Sequence, residues 1–349
     1  MNLSLTAPNR TYERLMVMSK PKVYVHRLGD WYSLYMDEEN EQLLASCAEV
    51  ASERDRGEPL APAELVARMQ GAEAILSLNG MGAGEITAEV LREVGTVRLI
   101  CISHIWGQFQ WVTQELGIPV IEGSNANTIA VAEWTVAAAL LGVRQLTRFD
   151  RLLKSGSPWA EPRRTVGMLC GSTVGLIGLG RIGRYVAAYF RFLGAKVIAY
   201  DKFIPPDEAQ ALGVTLVSLE ELLRTADVVS LHLPVTDSTR NLLQAPHFAL
   251  IKDGAVFINS ARAALYDEPA LIAELRKNRF RAYLDVYARE PLPLDSPLRS
   301  LDNVLITPHL AGDNPAMFRR CGREAIETLR DFFAGKGIND KQYARPSPL

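Results

Sequence analysis

At the centre of the chain lies the segment Thr173-Val-Gly-Leu-Ile-Gly-Leu-Gly-Arg-Ile-Gly183, in which three glycines have the spacing G-x-G-x-x-G. It begins with an apolar strand pattern, and a helical pattern follows it as far as Gly194. In such a loop Gly178 permits a tight turn, Gly180 lets the backbone approach a pyrophosphate, and Gly183 lets the helix pack close to the strand. The free N–H groups and the dipole of the helix favour a phosphate at its first turn. The segment therefore predicts a dinucleotide-binding loop.

The type of dinucleotide is indicated by Asp201. This residue follows the next predicted strand, 196–200, about 20 residues beyond the glycines, where a carboxylate accepts hydrogen bonds from the adenosine ribose. A carboxylate also repels a 2′-phosphate, so we expect NAD rather than NADP, a preference that the neighbouring Lys202 weakens. A methyltransferase can combine a glycine loop with an acidic residue in the same way. Residues elsewhere in the chain that suit redox chemistry would distinguish an NAD-dependent oxidoreductase from a methyltransferase.

The rest of the chain alternates short aliphatic runs with helical patterns, which is typical of parallel sheets covered by helices. One series of predicted strands comprises 23–25, 74–78, 99–102 and 120–121, and a second comprises 173–177, 196–200, 228–233, 255–259, 281–285 and 304–307. A helical stretch, 129–153, separates the two series. A last helix begins near Pro315, with Asn314 as one candidate cap, and ends at Gly335. The sequence thus predicts two doubly wound α/β domains.

Length and composition exclude several classes of protein. The 349 residues suggest two domains of about 150 residues each. With 38 basic and 40 acidic residues, the net charge of −2 gives no basic field for nucleic acid or an anionic membrane. The longest apolar run, 136–143, is shorter than the ~20 residues of a membrane span, and the N-terminus lacks a signal-peptide pattern. The four cysteines (Cys47, Cys101, Cys170 and Cys321) form no metal-ligand pairs, so we expect no metal and a cytoplasmic location.

Ionisable residues follow three predicted strands of the second series. Arg262 comes just after one strand, and His309 comes just after the last. Between them, Asp285 ends a strand and Glu290 lies in the loop beyond it. Because ligands of open parallel sheets bind beyond the carboxyl ends of the strands, these side chains are expected to face the cofactor. Each of them alone is equally well explained as a structural loop residue.

These motifs resemble the D-isomer-specific 2-hydroxyacid dehydrogenase family from about residue 70 to residue 335. The resemblance rests on the glycine loop and on 231–236 (LHLPVT), 259–262 (NSAR), 285–291 (DVYAREP) and 307–309 (TPH), in the family's order. It implies hydride transfer between a nicotinamide and a small acid, which interconverts a 2-oxo acid and a D-2-hydroxy acid. It also implies that the catalytic residues are Arg262, Glu290 and His309.

The chemistry of the three residue types agrees with these implied roles. The planar fork of Arg262 suits the carboxylate and keto oxygens of a 2-oxo acid. The imidazole of His309 can donate or accept a proton near neutral pH, and an ionised Glu290 would orient it and favour its protonated form. For the cofactor, the resemblance implies that Arg181 and Ile182 touch the pyrophosphate, that Pro234 lines the adenine pocket, and that Ala261 and Asp285 face the nicotinamide, Asp285 through its carboxamide.

The resemblance places the remaining substrate contacts mainly in the first domain. Within the stretch 79–84, Gly80 and Met81 are expected to donate backbone N–H groups to the substrate carboxylate. The absence of a cationic side chain in this stretch argues against a phosphorylated substrate. Asn127 matches a family position near the substrate. His104 is a second candidate acid, ranked low because the family's pattern gives it no carboxylate partner.

The resemblance also defines the organisation of the chain. We expect a flavodoxin-like substrate domain of residues 1–123 and 313–349, a Rossmann-type NAD-binding domain of residues 124–312, and an active site in the cleft between them. The helix from Ile129 is the expected homodimer contact. A phosphoglycerate dehydrogenase, a hydroxypyruvate or glyoxylate reductase, and a dinucleotide-sensing scaffold without turnover stay open as alternatives. A formate dehydrogenase would pair its histidine with glutamine, which Glu290 argues against.

Overall fold

The computed structural model describes residues 20–26, 31–52, 56, 58–78, 83–102, 110–122, 125–157 and 166–338. Over these residues the chain forms two compact units. One comprises the residues up to Ile121 and those from Ala325 onwards, and the other comprises Glu122–Glu324. Each unit has its own sheet.

The first unit contains a five-stranded sheet in the order β2-β1-β3-β4-β5, in which β2, β1, β3 and β4 pair in parallel. Its strands are β1 (Lys22–Val25), β2 (Glu49–Ser52), β3 (Ala74–Ser77), β4 (Leu99–Ile102) and β5 (Val120–Glu122). Its helices are α1 (Tyr32–Tyr35), α2 (Glu38–Cys47), α3 (Pro62–Met69), α4 (Ala88–Val94) and α5 (Gln110–Leu116). This is the flavodoxin-like strand order, which confirms the predicted fold class.

The second unit contains a seven-stranded parallel sheet in the order β12-β11-β10-β9-β6-β7-β8. Its strands are β6 (Thr173–Ile177), β7 (Lys196–Tyr200), β8 (Thr215–Leu216), β9 (Val228–Leu231), β10 (Val256–Asn259), β11 (Arg281–Leu284) and β12 (Val304–Ile306). The order reverses between β6 and β9, as in the Rossmann fold, and ligands of such sheets bind at this switch point. The predicted Rossmann-type domain is therefore confirmed.

Helices cover both faces of the second sheet. They are α6 (Asn125–Arg144), α7 (Leu146–Lys154), α8 (Arg181–Phe192), α9 (Pro206–Ala211), α10 (Leu219–Thr225), α11 (Ala245–Leu250) and α12 (Glu268–Leu275). The last helix, α13 (Pro315–Phe333), begins in the second unit and continues into the first from Ala325. Alternate strand residues enter two separate cores, because side chains along a strand point to opposite faces. Val229 and Phe257 pack with Leu222 of α10, whereas Val228 and Val256 pack with Phe190 of α8. Burial on both faces explains the nearly continuous apolar strands.

The structure divides the predicted helix 129–153 into α6 and α7. Gln145 separates them in the left-handed region, with φ +53°, and its buried side chain accepts a hydrogen bond from Arg148 at 3.0 Å. Within the described residues, the stretch Ala126–Arg144 is the one helix that is long and apolar enough to cross a membrane by those two criteria alone. Half of it is buried, and it packs on α8 and on the sheet, as the core helix of a globular domain does.

The last helix begins and ends at the predicted residues. Asn314 accepts a hydrogen bond from the Met317 N–H at 2.9 Å through its side-chain oxygen, which caps the first turn of α13. Gly335, with φ +75°, lies just beyond the end of the helix, in the conformation that glycine adopts most easily.

Candidate active site

The glycine loop between β6 and α8 has the geometry of a phosphate site. Gly178 has φ +101°, and a Cβ there would lie 2.8 Å from the carbonyl oxygen of His232. A Cβ on Gly183 would overlap the carbonyl oxygen of Gly178. Gly180 is different, because it caps α8 and a Cβ there would meet no protein atom within 4 Å. The open space above a helix N-terminus fits the pyrophosphate of a dinucleotide.

Asp201 joins this loop to the turn after β7. Its Oδ2 accepts a hydrogen bond from the Leu179 N–H at 2.7 Å. Its Oδ1 accepts hydrogen bonds from the N–H groups of Phe203 and Ile204 at 2.8 and 3.1 Å. A carboxylate accepts about four hydrogen bonds, so these three leave room for a ribose hydroxyl. The contact between Asp201 and the ribose stays a prediction.

The other predicted cofactor residues lie at the same edge of the second sheet. Arg181 is exposed and Ile182 is half-buried in the first turn of α8. Pro234 is exposed in the loop after β9, the strand next to β6, and its carbonyl oxygen accepts a hydrogen bond from the Thr239 hydroxyl at 2.6 Å. Ala261 follows β10, the next strand along. Their contacts with the cofactor stay predictions.

Arg262 lies on a turn that Asn259 organises. The buried Asn259 side chain accepts a hydrogen bond from the Ala261 N–H at 2.9 Å and donates one to the Arg262 carbonyl oxygen at 3.0 Å. The exposed Arg262 guanidinium donates to the Ala261 carbonyl oxygen at 2.6 Å. No carboxylate of the described residues forms an ion pair with this guanidinium, which leaves its remaining N–H groups for an anion.

Glu290 and His309 form a close ion pair. The His309 Nδ1 lies 2.7 Å from Glu290 Oε2, and the Tyr287 N–H donates to Glu290 Oε1 at 3.0 Å. Burial raises the pKa of Glu290, but the hydrogen bonds from His309 and Tyr287 and the charges of His309 and Arg262 outweigh it, so the pKa lies below its usual value. Because an ionised Glu290 can only accept, Nδ1 is the protonated donor and Nε2 is the nitrogen available to a substrate.

Asp285 forms hydrogen bonds with the loop 307–311, which follows β12 and is called the His309 loop below. It is 1% exposed, and it accepts hydrogen bonds from the Thr307 hydroxyl and from the N–H groups of Leu310 and Ala311 at 2.5, 2.9 and 2.8 Å. These three bonds all go to the loop that follows β12. The predicted bond from Asp285 to a nicotinamide carboxamide is untested.

Of the predicted substrate residues, Asn127 lies within the part of the chain that the structure describes. Gly80, Met81 and the alternative acid His104 lie outside the described residues. Asn127 is half-buried in α6, and its side-chain nitrogen lies 3.5 Å from the position that a Cβ on Gly312 would occupy. Asn127 therefore lies near the end of the His309 loop, and its contact with substrate stays a prediction.

Two residues around the ion pair were missed by the sequence analysis. The Tyr287 hydroxyl lies 2.7 Å from the carbonyl oxygen of Thr307 and 3.0 Å from that of Leu284, so these two acceptors share its single proton. Arg299 donates to the carbonyl oxygens of Leu292 and Pro293, both at 2.8 Å. Both residues line a pocket of about 690 Å³ beside the ion pair. The sequence contained no signal for Arg299, whereas Tyr287 lies inside a recognised motif and has a hydroxyl that, when buried, needs a partner.

The doubly wound sheet, the glycine loop at its switch point and the acidic residue after β7 define a dinucleotide-binding α/β domain. The family model for the NAD binding domain of D-isomer specific 2-hydroxyacid dehydrogenases matches residues 136–311, half of the chain. The chain belongs to the D-isomer specific 2-hydroxyacid dehydrogenase family and contains its NAD-binding domain.

Named relatives agree with this membership. A D-3-phosphoglycerate dehydrogenase from Mycobacterium leprae is 38% identical over 64% of this chain and 42% of its own length. Another from Methanocaldococcus jannaschii is 33% identical over 78% of this chain and 52% of its own length. The chain therefore spans about half the length of these curated relatives. A solved D-isomer specific 2-hydroxyacid dehydrogenase from Lactobacillus delbrueckii, in its NAD complexed form, is 25% identical, with a TM-score of 0.74 over 93% of this chain and 100% of that chain.

Proposed function

We propose that the protein is an NAD-dependent oxidoreductase that interconverts a 2-oxo acid and a D-2-hydroxy acid. The observation that carries the proposal is the 2.7 Å pair of Glu290 and His309, which follows strands of the sheet that bears the glycine loop. A methyltransferase has no use for this pair or for Arg262. Family membership supports the same reaction class.

The chain's own residues have separate tasks in this reaction. The bound nicotinamide supplies or accepts the hydride. In the reducing direction His309 donates a proton from Nε2 to the substrate oxygen, and in the oxidising direction it accepts one there. Glu290 accepts from Nδ1–H, which fixes the orientation of the ring. Arg262 binds the carboxylate and polarises the keto oxygen through its planar fork.

The substrate is proposed to be a small unphosphorylated 2-oxo acid such as glyoxylate, hydroxypyruvate or pyruvate, or a bulkier analogue. The stretch 79–84, Asn-Gly-Met-Gly-Ala-Gly, contributes no cationic side chain for a phosphate. The second candidate is 3-phosphoglycerate, because the two curated relatives described above are named D-3-phosphoglycerate dehydrogenase. A sensing scaffold is the non-enzymatic alternative.

The deciding experiment is an NADH-oxidation screen over these 2-oxo acids and 3-phosphohydroxypyruvate, repeated with NADPH. We expect turnover with NADH, and a loss of kcat of about 10²-fold or more in His309→Ala with little change in NADH affinity. Preference for 3-phosphohydroxypyruvate would select the second candidate. Normal NADH binding without turnover of any acid would instead favour the scaffold.

We also propose a cytoplasmic homodimer. All four cysteines are free thiols, which agrees with a reducing compartment. The net charge of −2 offers no general attraction to nucleic acid or anionic lipid. The dimer proposal rests on the family resemblance, which implies that the helix from Ile129, now part of α6, is the contact between the two copies. Light scattering of the purified chain measures the oligomeric state directly.

A further inference from the structure

His309 lies on a short loop with an unusual backbone. The loop, residues 307–311, follows β12, and His309 has φ +54°, in the left-handed region that residues with a Cβ rarely adopt. The His309 N–H donates to the Thr307 carbonyl oxygen at 3.0 Å, which closes a tight turn. Backbone of this kind persists only where the surrounding contacts hold it in place.

Asp285 supplies contacts on both sides of His309. Before the histidine, Oδ1 accepts from the Thr307 hydroxyl at 2.5 Å. After it, Oδ1 accepts from the Leu310 N–H at 2.9 Å and Oδ2 from the Ala311 N–H at 2.8 Å. Asp285 is almost fully buried, and a hydrogen bond away from water is electrostatically stronger than one at the surface. One carboxylate therefore fixes both ends of the turn.

Thr307 is itself held at three points. Its N–H donates to the Leu284 carbonyl oxygen at 3.0 Å, and its hydroxyl donates to Asp285. Its carbonyl oxygen accepts from the Tyr287 hydroxyl at 2.7 Å. All three partners lie at the end of β11 or just after it: Leu284, Asp285 and Tyr287. These hydrogen bonds therefore hold the loop that bears His309 against the segment that leads to Glu290.

We propose that Asp285 and Thr307 are a positioning pair that directs the His309 imidazole towards Glu290. The proposal rests on the proposed function, because direction matters only if His309 transfers a proton at a defined place. It gives a role to Thr307 and a second role to Asp285. Three of about four acceptor sites on Asp285 are already used by the loop, which leaves one for a cofactor amide.

The test compares Thr307→Val, which keeps the shape and removes the hydroxyl, with Thr307→Ser, which keeps the hydroxyl. Thr225→Val, on an exposed threonine at the end of α10, is the matched control. Three quantities are measured: kcat with the best acid of the screen, NADH affinity by fluorescence titration, and the low-field proton resonance of the His309 Nδ1–H bonded to Glu290.

We expect Thr307→Val to lower kcat about tenfold or more, with NADH affinity unchanged within about twofold and the low-field resonance shifted or broadened. Thr307→Ser should restore kcat and the resonance towards wild type, and Thr225→Val should change none of the three quantities. If Thr307→Val does not fold, Thr307→Ala takes its place with the same expectation.

An unchanged kcat and resonance in Thr307→Val would overturn the proposal. A parallel fall in kcat and NADH affinity would also overturn it, because the hydroxyl would then serve the cofactor. If the wild type turned over no acid, the proposed function would fail, and the resonance would still decide whether the pair positions His309.

Discussion

The ionisation of Glu290 is set by its neighbours. Burial favours the neutral acid, but the hydrogen bonds from His309 and Tyr287 and the nearby positive charges lower the pKa below the usual 4.5. A carboxyl group with a lowered pKa stabilises the fold above its unfolded pKa, and this contribution is lost as the pH falls through the folded pKa. The pair therefore links stability to pH on the acid side.

We expect the free energy of unfolding of the wild type to fall more between pH 6 and pH 3 than that of Glu290→Gln, because the amide has no proton to bind in this range. Urea unfolding at several pH values measures the difference. Glu220→Gln, on an exposed residue in the first turn of α10, is the control and should follow the wild type. Parallel curves for wild type and Glu290→Gln would contradict the lowered pKa.

Two glycines of the same loop should respond differently to alanine. Gly180→Ala adds a Cβ that meets no protein atom, so thermal stability should be unchanged while NADH affinity falls about tenfold or more. Gly183→Ala brings its Cβ onto the Gly178 carbonyl oxygen, so the fold should lose about 1–3 kcal/mol even without cofactor. Thermal melts and NADH titrations measure both. Equal melting losses in the two variants would show that the space above Gly180 is not open.

The site could be predicted from sequence as a set of residue types, and only partly as geometry. Glu290 and His309 were predicted to lie side by side, and the structure brings them to 2.7 Å. The three bonds between Asp285 and the His309 loop were not foreseen, since two of their donors are backbone N–H groups that any residue provides. Spacing identifies the types of side chain, whereas bonds from the main chain depend on how the loops fold.

Among the elements, buried strands were the easiest to predict. All strands of the two predicted series are present, because residues buried on both faces form unbroken apolar runs. The edge strand β2, Glu49–Ser52, was missed because its residues are mostly exposed, and β8 was missed because it has two residues. The break at Gln145 was missed because helical periodicity continues on either side of it.

The approach of α6 to the sheet depends on Gly142. A Cβ there would lie 2.7 Å from Val256 Cγ1 and 2.9 Å from Tyr283 Cε2. Alanine is the better helix former by about 1 kcal/mol. Overpacking costs about 1–3 kcal/mol, so Gly142→Ala should lower the free energy of unfolding. Urea unfolding checks this, with Gly142→Ser as a second variant expected to lose at least as much. A stabilised Gly142→Ala would mean that α6 can move away from β10 and β11 at little cost.

At the scale of the whole molecule, the chain has two parallel sheets with different strand orders. The glycine loop, Asp201, Arg262, Glu290 and His309 all follow strands of the second sheet. Composition and alternation predicted two doubly wound domains without any reference to a site. The arrangement of these residues is set by one sheet, because parallel strands bring all their carboxyl ends to one edge.

Because the proposed cofactor residues all follow strands of the second sheet, NADH should slow hydrogen exchange mainly in the second unit. A ligand at 100 times its dissociation constant adds about 2.7 kcal/mol to the unit that binds it. Hydrogen exchange followed by mass spectrometry should therefore show slower exchange in peptides covering 173–204 and 228–240, and little change in those covering β1 and β3. Gly180→Ala, at the same NADH concentration, should lose most of this protection. Slowed exchange confined to the first unit would mean that the cofactor binds at the first sheet, and would contradict a dinucleotide site at the glycine loop.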